Sequence, residues 1–311
     1  MTSFRKATIL LAGSLFFVSC GSDPSRVPLA GEARAGESPA QALYNAGFSA
    51  ESAGQTKKAL KSYGAINAKY PQSSVAAEAT YRYAKLLERS GEPLDAFQAY
   101  DDVLTKYPAS SHYSEAMKRQ ESLAHQVAQG VIKDSFIGFN TKVGPKQTTE
   151  MLSKVRDNAP RAASAPKAQF AIGEVYQNQS SKEGEAIMAF RRLVRDYPDS
   201  NYAPEAQFRI GDILLKQSTG GNEDAANIDR ARKAFDDLLL RYPNHPRAAD
   251  ARRSIAQIQS DDIRRSYEIA EFYRKKGQTN SALFYYRETV RKSKDGKLRN
   301  QAQAWINKLS S

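Results

Sequence analysis

Small and apolar residues recur along the chain at helical spacing, inside a unit that repeats. Residues 186–200 read Ala-Ile-Met-Ala-Phe-Arg-Arg-Leu-Val-Arg-Asp-Tyr-Pro-Asp-Ser, and residues 59–73, 96–110 and 231–243 follow the same design. Each copy opens on a small residue, Ala59, Ala96, Ala186 or Ala231, and carries an aromatic four residues on, Tyr63, Tyr100, Phe190 or Phe235. Positions four apart lie on one face of a helix. The alanine therefore lets a neighbouring helix approach, and the ring fills the space beside it. A Tyr-Pro pair then ends each copy, at Pro71, Pro108, Pro198 and Pro243. Proline stops a helix because it lacks an N–H and its ring clashes with the preceding turn. Ser73, Ser110, Ser200 and Asn244 follow within two residues and are placed to cap the next helix. The four prolines stand 37, 90 and 45 residues apart, so one copy in the middle is disguised. A period of this length predicts a stack of helical hairpins.

The hairpins can be placed along the chain. The first runs from about Pro39 to Pro71 with its turn near Gly54, and the second from about Ser74 to Pro108 with its turn at Ser90 to Pro93. Residues 112–160 are the disguised copy, with helices from His112 to Gln129 and from Lys146 to Asn158 and an irregular stretch around Phe136, Ile137 and Phe139. Ala163 to Pro198 and Tyr202 to Pro243 form the next two, the latter with an Asn/Asp/Gly-rich insertion from Lys216 to Ile228. No Gly or Pro lies between Pro246 and Gly277. That predicts one helix over 247–276, roughly 45 Å long at the usual rise. Its second half, with Ile269, Ala270 and Tyr273, opens a sixth hairpin completed by 280–294, where Ala282 and Tyr286 take the small and aromatic positions. Residues 297–309, with Trp305, form a terminal helix. The unit resembles the tetratricopeptide repeat: counted from Pro71, Gly47, Ala59 and Tyr63 fall where that repeat places its small and aromatic residues. The expected fold is all-α, a tetratricopeptide-repeat solenoid of about six helical hairpins with a terminal capping helix, in which each repeat buries its face on its neighbours.

The N-terminus adds an address. Arg5 and Lys6 precede an apolar run from Ala7 to Val18 that is too short to span a bilayer, the pattern of an export signal. Phe17-Val18-Ser19-Cys20 resembles the lipobox of bacterial lipoproteins, which implies acylation of Cys20, the single cysteine of the chain. Gly21 follows it, where Asp signals retention at the inner membrane, so the resemblance implies the outer membrane and a periplasmic, lipid-anchored protein. Residues 1–19 are then the signal peptide and 20–38 a flexible tether rich in Gly, Ser, Pro and Ala. The formal charge is +12, spread without any run of five basic residues, which suits acidic partners or anionic lipid and not nucleic acid.

The chemistry is sparse. His112, His125 and His245 lack ligand spacing, so no metal site is expected, and no glycine-rich phosphate loop precedes a helix. Asp101-Asp102, Asp236-Asp237 and Asp261-Asp262 read as solvated helix faces, and Asn222-Glu223-Asp224 as a surface loop. No catalytic set and no cofactor are expected. Of the aromatics Tyr44, Tyr81, Tyr83, Phe170, Phe208, Phe272 and Tyr273, most are expected in the packing between helices, with one or two lining a groove.

A lipobox, a tether and Ser38-Pro-Ala-Gln-Ala-Leu-Tyr44 opening the first repeat are similar to the BamD/YfiO-type lipoproteins of the outer-membrane β-barrel assembly machinery. Residues 231–244, the long helix, and Ser266-Tyr-Glu-Ile-Ala-Glu-Phe-Tyr-Arg-Lys-Lys-Gly277 match that family's C-terminal pattern. The likeness covers about 38–108 and 203–293, which makes 39–108 the N-terminal repeats, 109–202 additional repeats inserted relative to the family, and 203–311 the C-terminal repeats with the long helix and cap. The resemblance implies a non-enzymatic scaffold that holds unfolded β-barrel precursors near Tyr44, Phe48, Tyr81 and Tyr83. It would dock on the barrel insertase and other assembly lipoproteins through a basic contact on the long helix, which carries Arg252, Arg253, Arg264 and Arg265. The alternatives are a Tol-Pal-associated periplasmic repeat protein that coordinates envelope constriction, and a general envelope scaffold.

Overall fold

Thirteen helices make up the described part of the chain, and the residues that bound them are those the repeat singles out. The computed structural model describes residues 30–136, 139–219 and 225–310. Residues 1–29, with the expected export signal, Cys20 and most of the expected tether, lie outside them. The helices are α1 (Ala30–Ser52), α2 (Thr56–Lys69), α3 (Ala76–Arg89), α4 (Pro93–Lys106), α5 (Tyr113–Ala128), α6 (Pro145–Asn158), α7 (Ser164–Gln177), α8 (Glu183–Asp196), α9 (Ala203–Thr219), α10 (Ala225–Arg241), α11 (Arg247–Lys275), α12 (Thr279–Lys292) and α13 (Lys297–Leu309). They form six antiparallel hairpins and one closing helix. The chain divides into two compact units, residues 1–79 and 80–311, with the division inside α3.

The hairpin turns follow from local chemistry. Gly54, Gly91 and Gly277 each take a positive φ between the two helices of a hairpin. That left-handed residue lets the following N–H reach back to close the helix, as Gln55 does to the Ala50 carbonyl at 2.8 Å and Gln278 to that of Tyr273 at 3.0 Å. At the far end of four hairpins, the second helix stops one residue before the Tyr of the Tyr-Pro pair, at Lys69, Lys106, Asp196 and Arg241.

The core is a stack of ring-on-small-residue contacts. Ala59, Ala96, Ala186 and Ala231 are fully buried, and so, to within 1 %, are Tyr63, Tyr100, Phe190 and Phe235. The rings of Tyr63, Phe190 and Phe235 each lie against a glycine of the first helix. A Cβ added to Gly47 would stand 2.8 Å from the ring of Tyr63, and one on Gly211 would stand 2.6 Å from that of Phe235. The tyrosines also place their hydroxyls: Tyr63 donates to Glu51 at 2.9 Å and Tyr100 to Glu88 at 2.8 Å, while Tyr286 donates to Glu271. In the disguised copy Thr148 and Leu152 occupy the small and aromatic positions, twelve and eight residues before Pro160, and both are buried.

Four expectations change. Helix α1 begins at Ala30, so residues 30–38 are helix and not tether, and Pro39 lies inside α1. Ala, Glu and Arg there favour helix, and Glu37 accepts a hydrogen bond from the Ser74 N–H at 3.1 Å, which holds the first turns within the first unit. The stretch after α5 is a two-stranded antiparallel hairpin, β1 (Lys133–Phe136) and β2 (Phe139–Lys142), and Ile137 lies outside the described residues. The insertion of repeat five is shorter than its composition indicates, because α9 runs to Thr219 and α10 starts at Ala225; Asn222-Glu223-Asp224 lies outside the described residues. Side-chain capping by serine holds only for Ser110, whose Oγ accepts from the His112 N–H at 3.2 Å. The Oγ atoms of Ser73 and Ser200 are buried without a partner, and their carbonyls take the bond instead. In the last copy this place is held by His245, whose carbonyl accepts from the Ala248 N–H at 2.8 Å, and not by Asn244.

A Gly211→Ala substitution should lower stability by about 1–3 kcal/mol, because the new methyl meets a packed ring that has nowhere to move. Gly184→Ala, on an exposed helix position with nothing within 4 Å, should be stabilising by about 0.5 kcal/mol. Thermal unfolding of both variants reads the difference. Equal shifts would contradict the close approach of α9 and α10.

Candidate functional site

Two surfaces were expected to bind, and the structure treats their residues unequally. In the first unit, Tyr44 and Phe48 lie one turn apart on α1 with ring centroids 6.4 Å apart and nearly parallel planes. Tyr44 also leans on Tyr63 at 5.9 Å, and Phe48 is 46 % exposed. The buried ring of Tyr63 thus supports a ladder that ends in solvent. In the second unit, Tyr81 is buried, stacked on His112 at 4.1 Å and tilted on Tyr100 at 6.2 Å. Its ring belongs to the packing. Tyr83, two residues on, points about 200° away around α3 and is half-buried; burial, with Asp95 and Glu92 nearby, pushes its phenol up.

The four arginines of α11 do not form one patch. At about 100° per residue, Arg253 and Arg264 come within about 20° of each other, on the side away from the buried Ala248, Ala251, Ile258 and Ser266. Arg252 and Arg265 fall to either side of them. Arg253 pairs with Asp250, and Arg264 pairs with Asp261 at 2.7 Å. Exposed pairs of this kind are weak, so these two guanidinium groups can exchange partners at little cost.

Two features escaped the sequence reading. Asp101, read as a solvated acid, is 7 % exposed. It accepts hydrogen bonds from Lys154 at 2.7 Å, from Gln120 at 2.8 Å and from Asn158 at 2.8 Å, so one carboxylate joins α4, α5 and α6. Burial alone would push its carboxyl up, but these donors hold it below the usual range. Its neighbour Asp102 faces outward and pairs with Lys106 at 3.1 Å, as a surface acid does. One position along a helix turns a residue by about 100°, which separates the two. The second feature is an aromatic surface on the last hairpin. Phe272 and Phe284 are 55 % and 58 % exposed, flanking Tyr273 and Tyr285, which stack at 5.6 Å. Of the aromatics expected mostly in the packing, Phe272 is thus among the exposed ones, whereas Phe170 and Phe208 pack against Phe190 and Phe235. Tyr273 packs from partial burial beside Tyr285.

Helical hairpins closed by a small residue, an aromatic and a Tyr-Pro pair define a tetratricopeptide-repeat solenoid, a class whose members act as protein-interaction scaffolds. A repeat model of this type matches residues 205–245. A family model for YfiO, described as an outer membrane lipoprotein, matches residues 36–217, more than half of the 311 residues. The chain belongs to this YfiO family of outer-membrane lipoproteins. The matched range includes 109–202 and ends before α11. No curated protein matches the chain. Among solved structures it is similar to MamA (41-end) from Desulfovibrio magneticus RS-1, at 17 % identity over 67 % of this chain and 97 % of that one, with a TM-score of 0.31. A tetratricopeptide repeat protein from Parabacteroides merdae ATCC 43184 matches at 12 % over 88 % and 99 %, TM-score 0.31. A thermophilic repeat protein from Thermus thermophilus matches at 17 % over 70 % and 98 %, TM-score 0.31. Likeness at this level carries nothing about function.

Asp101→Asn should cost about 1–3 kcal/mol near pH 7, since Lys154 loses its charge partner. The Asp101 carboxyl is depressed in the folded state, so its contribution is present above the unfolded value and disappears as pH falls through the folded one. The gap between the two proteins should therefore close below about pH 4. Urea titrations from pH 7 to pH 3 check this, and a gap that stays constant would show that the charge is irrelevant.

Proposed function

We propose that the chain is a non-enzymatic scaffold of the machinery that assembles β-barrels in the outer membrane, anchored through an acylated Cys20 on the periplasmic face. The observation that carries this reading is the YfiO match over residues 36–217, a family of outer-membrane lipoproteins. The two ends of the chain then do different work. On α1, the Tyr44–Phe48 ladder offers an exposed ring on a fixed support, suited to the aromatic and apolar residues of an unfolded barrel precursor. Tyr83 is a second contact of this kind, while Tyr81 acts through packing alone. On α11, Arg253 and Arg264 present two guanidinium groups along one face, suited to carboxylates of the barrel insertase or of a companion lipoprotein. Arg252 and Arg265 border that face.

Cys20→Ala should release the protein from membranes, because stable anchoring needs more than one acyl chain and the substitution removes them all. Retention of the variant after a high-salt wash would show another anchor. Reversal of the docking face, Arg253→Glu with Arg264→Glu, should slow association with the insertase's periplasmic domains by about tenfold at low salt, and less at high salt. Binding of a precursor-derived aromatic peptide to the same full chain should stay within about twofold, as distant repeats couple weakly. Loss of peptide binding with unchanged docking would overturn the assignment of the two ends.

A further inference from the structure

Between α8 and α10 the second unit carries an open recess of about 670 Å³. Its floor is apolar, made of Val194, Ile210 and Ala234. Its walls are basic. Arg191 and Arg195 stand one turn apart on α8, and Arg230, Lys233 and Arg241 on α10, against a single carboxylate, Asp237. The α10 residues follow one another at steps of three, four and four, the spacing of one helix face. They form a stripe about 16 Å long. Arg195 pairs with Asp196 at 2.7 Å, and Arg230 donates to the Asn227 side chain at 3.3 Å. Among the described residues Arg191, Lys233 and Arg241 have no carboxylate partner within salt-bridge distance, and all three are exposed. Five like charges around one recess repel each other, a cost that an anionic occupant removes.

We propose that this recess binds an extended acidic segment of a partner protein in which acidic and apolar residues alternate. The dimensions and chemistry select it. About five residues of extended chain cover the stripe. Their side chains alternate in direction, so apolar ones turn to Val194 and Ile210 while carboxylates turn to the cations on the walls. Asp237, the one like charge, excludes a carboxylate from its own position and so sets the register. A lipid headgroup would use the cations but not the floor. A nucleic acid strand would find no aromatic platform in the lining. The inference stands on this recess alone and does not depend on the barrel-assembly reading.

The test uses the full chain and a fluorescent twelve-residue peptide of alternating Asp or Glu with Leu or Val. The peptide should bind, and its affinity should fall as salt rises. Lys233→Glu with Arg241→Glu should weaken binding by about tenfold. Lys57→Glu with Lys61→Glu on α2, the same change in net charge at two exposed residues elsewhere, should leave it within about twofold. A peptide with Gly in place of the apolar residues should bind several-fold more weakly. Equal loss from the two reversals would reduce the effect to net charge and overturn the proposal. So would a full-chain complex with short-chain phosphatidylglycerol that is lost on the α10 reversal while the peptide fails to bind.

Discussion

An aromatic ring pressed on a glycine sets the spacing of three of the hairpins, and the rest of the architecture follows the same plan. Gly47 under Tyr63 and Gly211 under Phe235 leave no room for one more carbon. Gly173 under Phe190 is as tight. The ring fills the gap between two helices that a larger partner would hold apart, and dense packing of this kind tolerates neither a cavity nor an added methylene. Where the ring is a tyrosine, its hydroxyl reaches a glutamate near the C-terminus of the first helix, beside the hairpin turn, so the contact also fixes the rotation of that helix. Where the copy loses the aromatic, Leu152 and Thr148 keep the same two places, buried to the same degree. What the repeat maintains is therefore a volume and a register.

This arrangement leaves the outer faces free to differ, and they do. The hairpins repeat the same buried positions inside, yet the first presents a stacked aromatic ladder, the fourth and fifth share a basic recess, and the last presents an exposed pair of phenylalanines. The core is built from ring, alanine, leucine, isoleucine and valine positions, which leaves exposed residues available for recognition. The surface ion pairs fit this view. Most lie within one helix at three- or four-residue spacing, which tunes local solubility and charge at little energetic weight. Others tie helices together, among them Arg247 to Glu205 at 2.5 Å and Lys154 to Asp101.

Much of the fold was legible in the sequence, because proline, glycine and the alanine-to-aromatic interval act locally. The ends of α5, α6, α11, α12 and α13 fall within two residues of expectation for that reason. Features that depend on a distant neighbour were not legible. Asp101 and Asp102 look alike in sequence, and only the arrival of Gln120, Lys154 and Asn158 from other helices buries one of them. Tyr81 and Tyr83 look like a pair until the helix turns them apart. The Gly-Ser composition before Pro39 hid a helix that Glu37 anchors through Ser74. The four arginines of α11 are close in sequence in two pairs, but adjacent positions diverge by about 100°, so only Arg253 and Arg264 share a face. The recess between α8 and α10 draws its lining from three helices, and no local pattern marks it.

The role proposed for this repeat scaffold is β-barrel assembly at the outer membrane. Purification of the full chain from gently solubilised envelopes, followed by mass spectrometry of what remains bound, tests it most directly. A large outer-membrane barrel with periplasmic domains should be recovered together with companion lipoproteins, and that barrel should be lost when Arg253 and Arg264 are reversed. Recovery of Tol or Pal components without such a barrel would contradict the proposed role.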